Sequence, residues 1–94
     1  MAKQENQHLE KAGKFLRGLR LRTGMTQQQL CEKLQLTKGF NLVSQVERGA
    51  IRLPLKHVIK FADAVEVNQK TLARKLVAYY EPDLCDALGF KRAA

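Results

Sequence analysis

Apolar residues return at three- and four-residue intervals along most of this 94-residue chain, and no stretch alternates apolar with polar over the length of a strand. That spacing is the period of the α-helix, so the chain reads as helical throughout. Leu9, Ala12, Phe15, Leu16 and Leu19 make the first stripe, with Lys14 and Arg17 on the opposite face. They predict a helix from Asn6 or Gln7 to Arg22, with Gly24 just past its end. Thr26 followed by Gln29 is a capping box, opening a short second helix with Leu30, Cys31 and Leu34 inward and its end near Leu34. Gln35 to Phe40 is a break containing threonine and glycine. Asn41 or Thr37 caps a third helix that turns Leu42, Val43 and Val46 inward and stops at Gly49. Ala50 to Leu53 is a loop, and Pro54 suits the first turn of a fourth helix with the stripe Leu55, Val58, Ile59, Ala62 and Val65. Asn68 caps a fifth helix bearing Leu72, Leu76, Val77 and Tyr80. Pro82 opens a short sixth, Asp83 to Leu88, closed by Gly89. The expected fold class is all-α, five main helices and a short sixth joined by short loops.

The length fits one small domain, and a hydrophobic share of 45% is enough to form a core. No apolar run approaches the roughly 18 residues of a membrane span. The polar start, Met1 to Gln7, lacks the apolar stretch of a signal peptide. These features argue against a large multidomain enzyme and against a membrane protein. Lysine and arginine number 17 against 9 aspartates and glutamates, a net charge of +8. The excess is not evenly spread: residues 1–60 hold 12 cationic and 4 acidic side chains, and residues 61–94 hold 5 of each. Such asymmetry points to an acidic partner, nucleic acid ahead of an anionic membrane surface, with a solubilising surface as the plain alternative. Cys31 and Cys85 are far apart, lie in apolar stripes and have no CxxC neighbour, so they read as reduced, packed thiols.

The informative stretch is Thr26 to Gly49: a short helix, a turn and a second short helix in the basic part of the chain. The major groove of B-DNA is about 12 Å wide and admits one α-helix. A helix that enters it needs polar groups outside and apolar groups inside. Asn41, Ser44, Gln45 and Arg48 fall on one side of the third helix, and Leu42, Val43 and Val46 mostly on the other.

These residues resemble a known family. Gly24-Met25-Thr26-Gln27-Gln28-Gln29-Leu30-Cys31-Glu32-Lys33-Leu34, then Val43-Ser44-Gln45-Val46-Glu47-Arg48-Gly49 and Pro54, are similar to the Cro/C1-type (Xre-like) helix-turn-helix family. Gly13, Leu16, Leu19 and Arg20 before them, and Phe61 to Val67 after, fit as well. The turn Thr37-Lys38-Gly39-Phe40 is longer than the commonest family spacing, so the chain resembles a long-turn variant. The resemblance implies a compact five-helix, lambda-repressor-like DNA-binding domain with a core at about residues 9–72, a short extra C-terminal helix in an extension over residues 73–90, and no cofactor. It implies a DNA-contacting set of Gln27, Gln28, Lys38, Asn41, Ser44, Gln45, Arg48 and Arg52. Gln27 matches a glutamine that touches the phosphate backbone; Gln45 and Asn41 match outward positions of the recognition helix. An amide at such a position can bond adenine N6 and N7 together. Lys38, Arg48 and Arg52 lie where phosphates would run. Arg20 and Glu47 match a structural ion pair that fixes the recognition helix on its support.

Leu76, Tyr79, Tyr80, Leu84, Leu88 and Phe90 extend past the family core. They read either as a helix closing that core or as the interface of a homodimer, which a palindromic site requires. His8 and His57 are isolated, and no metal-ligand spacing or glycine-rich phosphate loop accompanies them, so neither an enzyme nor a metal site is expected. The sequence reading is therefore a cytoplasmic, nucleoid-associated, dimeric transcriptional repressor of bacterial or phage origin, acting on double-stranded DNA at a pseudo-palindromic operator. The alternatives are an antitoxin that grips a toxin partner and a restriction–modification controller.

Overall fold

The computed structural model describes residues 2–36 and 41–90, with side chains from residue 7 onward. Helix α1 spans Ala2–Arg22. It starts a turn earlier than the apolar stripe predicts, because Ala2 to Gln7 includes good helix formers and no glycine or proline. Helix α2, Gln27–Lys33, opens on the predicted box: the Thr26 hydroxyl accepts from the Gln29 N–H at 3.0 Å, and the Gln29 Oε1 accepts from the Thr26 N–H at 2.9 Å. Helix α3 is Leu42–Glu47. Asn41 stands at its N-cap position, but its side chain makes no capping bond; the other candidate, Thr37, lies outside the described residues. Gly49 ends α3 at φ +77°, where a side chain would be strained.

The fourth helix departs from expectation. Pro54 leads into a single 3₁₀ turn, Leu55–His57, and only then does α4 run over Val58–Ala64. Its buried stripe is Val58, Phe61, Ala62 and Val65, whereas Leu55 and Ile59 are 85% and 57% exposed. Two helical stripes were available in this stretch. The one containing Phe61 buries the larger side chain, and burial scales with apolar area. Helix α5, Gln69–Tyr80, is capped by Asn68, whose side-chain oxygen accepts from the Thr71 N–H at 3.1 Å. Helix α6, Pro82–Ala87, has proline in its first turn and ends at Gly89, φ +76°. No strand occurs among the described residues, and none of their helices is long and apolar enough to cross a membrane.

Helix α1 packs on α3 and α5, α2 on α3 and α4, and α5 on α4 and α6. The shared core holds Leu16, Leu30, Leu34, Leu42, Val43, Val46, Leu53, Val58, Phe61, Val65, Leu72 and Leu76. Leu76 therefore faces the interior, only 3% exposed, and is not available to a second copy. Tyr80 is packed against the same core. Both were candidate dimerisation residues, and both are taken instead by the fold, because α5 turns this stripe onto α1 and α4. The helix also runs unbroken through residues 72 and 73, so the expected edge of the core falls inside it. Cys85 is buried and Cys31 half-buried, and they are not joined.

Candidate nucleic-acid interface

The third helix has six residues, about 9 Å at 1.5 Å per residue, too short to hold its place by its own hydrogen bonds. What fixes it is contact on three sides. Leu42, Val43 and Val46 anchor its inner face in the core. Its C-terminal end lies against α1 at Gly13: a Cβ there would stand 2.6 Å from the Val46 carbonyl oxygen and closer still to that of Glu47. Gly49 likewise meets the backbone of Glu10, where a Cβ would stand 2.8 Å from its Cα.

The third side is electrostatic. Arg20 donates from Nε to Glu47 Oε2 at 2.7 Å and from Nη2 to Oε1 at 3.0 Å, a two-bond fork on the carboxylate. Its Nη1 donates to the Met25 carbonyl at 2.8 Å. One guanidinium thus ties α1, the α1–α2 turn and α3 together. Both partners are buried, at 7% and 8% exposure. The bond to Glu47 holds the Arg20 guanidinium above its usual value; burial opposes the shift and the carboxylate's charge adds to it. Gln27 Nε2 also donates to Glu47 Oε1, at 3.0 Å. Gln27 is half-buried at the start of α2 with this bond already made, so one end of its amide is held by the protein. That link between the two helices of the motif carries no signal in residue spacing.

The outward groups are arranged around this anchored helix. Asn41 and Arg48 are exposed, and Ser44 and Gln45 half-buried. Arg48 Nε donates to the Ser44 carbonyl one turn back, at 3.3 Å. Gln28 is exposed on the first turn of α2. Lys38 lies outside the described residues. Of the predicted contact set, Ser44 and Gln45 lie on α3 and Asn41 and Arg48 at its two caps. Lys14, Arg17 and Arg22 are exposed on α1.

Arg52 is placed differently from the expectation that it runs beside phosphates. Its guanidinium forms an ion pair with Glu81, donates from Nη2 to the Tyr80 carbonyl at 3.2 Å, and lies 5.5 Å from the Tyr80 ring centroid. The Tyr80 hydroxyl accepts from the Leu53 N–H at 3.0 Å. Burial raises the Tyr80 hydroxyl above its usual value, with the Leu53 bond and the Arg52 charge opposing. This cluster clips the loop leaving α3 to the C-terminal end of α5. Tyr79 stacks at a tilt on Phe15, centroids 5.6 Å apart, and Phe90 lies under Arg74 at 5.2 Å. Leu84 and Leu88 remain exposed, at 47% and 53%.

His57 is half-buried, with its Nδ1 buried and without a hydrogen-bond partner. Burial, then Lys56 and Lys60, push it below the usual histidine value. Among the described residues no three His, Cys, Asp or Glu side chains come together as a metal site.

No curated protein matches this chain. A family model described as a helix-turn-helix domain matches residues 12–76, which takes in α2, the turn and α3 together with the second half of α1, α4 and most of α5. The match spans the whole of α2, the turn and the anchored α3, and the chain belongs to the helix-turn-helix domain family.

Proposed function

We propose that this chain is a sequence-specific transcriptional regulator, a repressor that binds a pseudo-palindromic operator in double-stranded DNA as a homodimer and works on the nucleoid in the cytoplasm. The observation that carries the reading is the pair of hydrogen bonds from Arg20 to Glu47, with a third from Gln27, which fixes a six-residue helix that bears Ser44 and Gln45 and has Asn41 and Arg48 at its caps. A preorganised helix of that length enters one major groove without ordering cost at the moment of binding. Gln45 reads a base edge, Asn41 and Ser44 read a base or a phosphate, and Gln27, Gln28, Lys38 and Arg48 hold the backbone. Two copies would set their recognition helices about 34 Å apart on one face of the duplex.

A gel-shift titration against the DNA upstream of the chain's own gene, with random duplex as competitor, tests this reading. Preference for the upstream DNA is expected. No preference would remove autoregulation, and no binding even at low salt would remove the DNA reading.

A further inference from the structure

We infer that two copies join through a crossed contact, in which the leucine face of α6 on one copy lies against the Leu55–Ile59 face of the other, twice about one axis. This rests on the dimer reading above and says which surfaces make it.

Among the described residues, the exposed large apolar side chains are Leu55, Ile59, Leu84 and Leu88, with Leu21 on α1. The first four form two pairs: Leu55 and Ile59, on the 3₁₀ turn and on the first turn of α4, and Leu84 and Leu88, four residues apart and so on one side of α6 and its C-cap. The charges around the two pairs are opposite. Lys56 and Lys60 flank the first pair and Asp83 and Asp86 the second, while Arg52 and Glu81 are paired with each other within the chain and Arg74 lies over the Phe90 ring beyond Leu88. Asp63 is the acid one turn beyond Ile59, and it accepts from Gln69 Nε2 at 3.0 Å.

A contact of α6 with its own copy would bring Asp83 toward Asp83. A contact of the Leu55 face with itself would bring Lys56 toward Lys56. Only the crossed arrangement matches apolar pair to apolar pair and opposite charge to opposite charge. The two segments also adjoin within one chain, through Arg52 with Glu81 and through the Leu53 N–H on the Tyr80 hydroxyl. Leu55 and Leu84 each lie within three residues of that junction. The surface is therefore basic on one flank and acidic on the other, the form a two-fold contact needs, in which one residue meets a second and the second meets the first. Because the junction holds the loop leaving α3, the partner copy would also set where the second recognition helix stands.

The test uses Leu55→Cys and Leu84→Cys chains, each alone and then mixed, treated with a short bifunctional maleimide. The parent protein, which carries Cys31 and Cys85, is the control. The unmodified protein is sedimented with and without operator DNA. The expected result is a dimer, cross-linked in the mixture at least about tenfold more than in either variant alone. Lys56→Glu is expected to weaken the dimer about three- to tenfold, and Lys56→Glu with Asp83→Lys to restore it. A dimer in which Leu84→Cys cross-links alone, or in which neither mixture nor variant cross-links, overturns the crossed contact and leaves the dimer standing. A monomer both free and on DNA overturns the dimer itself, and the surface then belongs to another protein.

Discussion

Glu47 receives three donated hydrogen bonds, two from Arg20 and one from Gln27. A carboxylate so placed loses more when it is removed than it adds when it is present, because its partner stays behind as a buried, uncompensated charge. Glu47→Ala is therefore expected to cost about 3–5 kcal/mol, a large part of the roughly 5–15 kcal/mol that holds a domain together. Arg20→Met with Glu47→Leu, which removes both charges and keeps the volume, should cost clearly less. Urea unfolding midpoints decide between them; equal losses would mean that packing, not charge, dominates the site. His57 gives a pH effect of known sign. Burial, with help from Lys56 and Lys60, lowers its pKa in the folded chain, while the unfolded chain takes up its proton near the ordinary value of about 6.5. Between the folded value and about 6.5 the unfolded state holds more protons, so stability falls as the pH is lowered through that window and is full above it. His57→Gln is expected to flatten this slope in thermal unfolding followed across mildly acidic pH, and an unchanged slope would assign it to the carboxylates.

The helices divide by how their positions are fixed. Helix α1 contains two glycines with opposite demands. At Gly13 a Cβ would run into the carbonyls of Val46 and Glu47, whereas at Gly18 nothing lies within 4 Å. Gly18→Ala should stabilise by about 0.5–1 kcal/mol through helix propensity alone. Gly13→Ala must push α1 off the recognition helix and should cost about 1–3 kcal/mol, with loss of DNA affinity. Both are read by thermal unfolding, and similar shifts for the two would contradict the close approach of α1 to α3. The same contrast explains how much was legible in the sequence. Helix ends at Thr26, Asn68, Pro82, Gly49 and Gly89 were legible because capping chemistry is local, within three or four residues. The pairing of Arg20 with Glu47 was legible only through a family resemblance, since 27 residues separate the two partners. The Arg52–Tyr80–Glu81 clip and the Gln27–Glu47 bond carry no local pattern and became visible only once the helices were packed. Helix α4 misled because Leu55 and Ile59 fit the helical period as well as Phe61 does; the period names a face but not which of two overlapping faces is buried.

The net charge of +8 belongs to the whole molecule, yet its cations do different work. Arg20 is buried in the pair with Glu47, and Arg52 is held by Glu81 and Tyr80. Arg48 is exposed on the C-terminal end of the recognition helix. Binding to duplex DNA releases about one counterion for each phosphate neutralised, so affinity falls with salt by a slope that counts such contacts. If the proposed interface is right, Arg48→Ala and Lys38→Ala should each lower that slope by about one and weaken all duplexes alike. Arg52→Ala should leave the slope unchanged, because its charge is spent on an internal ion pair. Gln45→Ala should leave the slope unchanged too, but should cost about 1–3 kcal/mol on the preferred sequence and little on random duplex. Binding isotherms at several salt concentrations, on operator and on random DNA, separate the four variants. A slope that drops with Arg52 would mean that the clip opens on DNA and hands its guanidinium to a phosphate. A Gln45 variant that loses equally on both DNAs would move base reading away from α3 to residues of the turn.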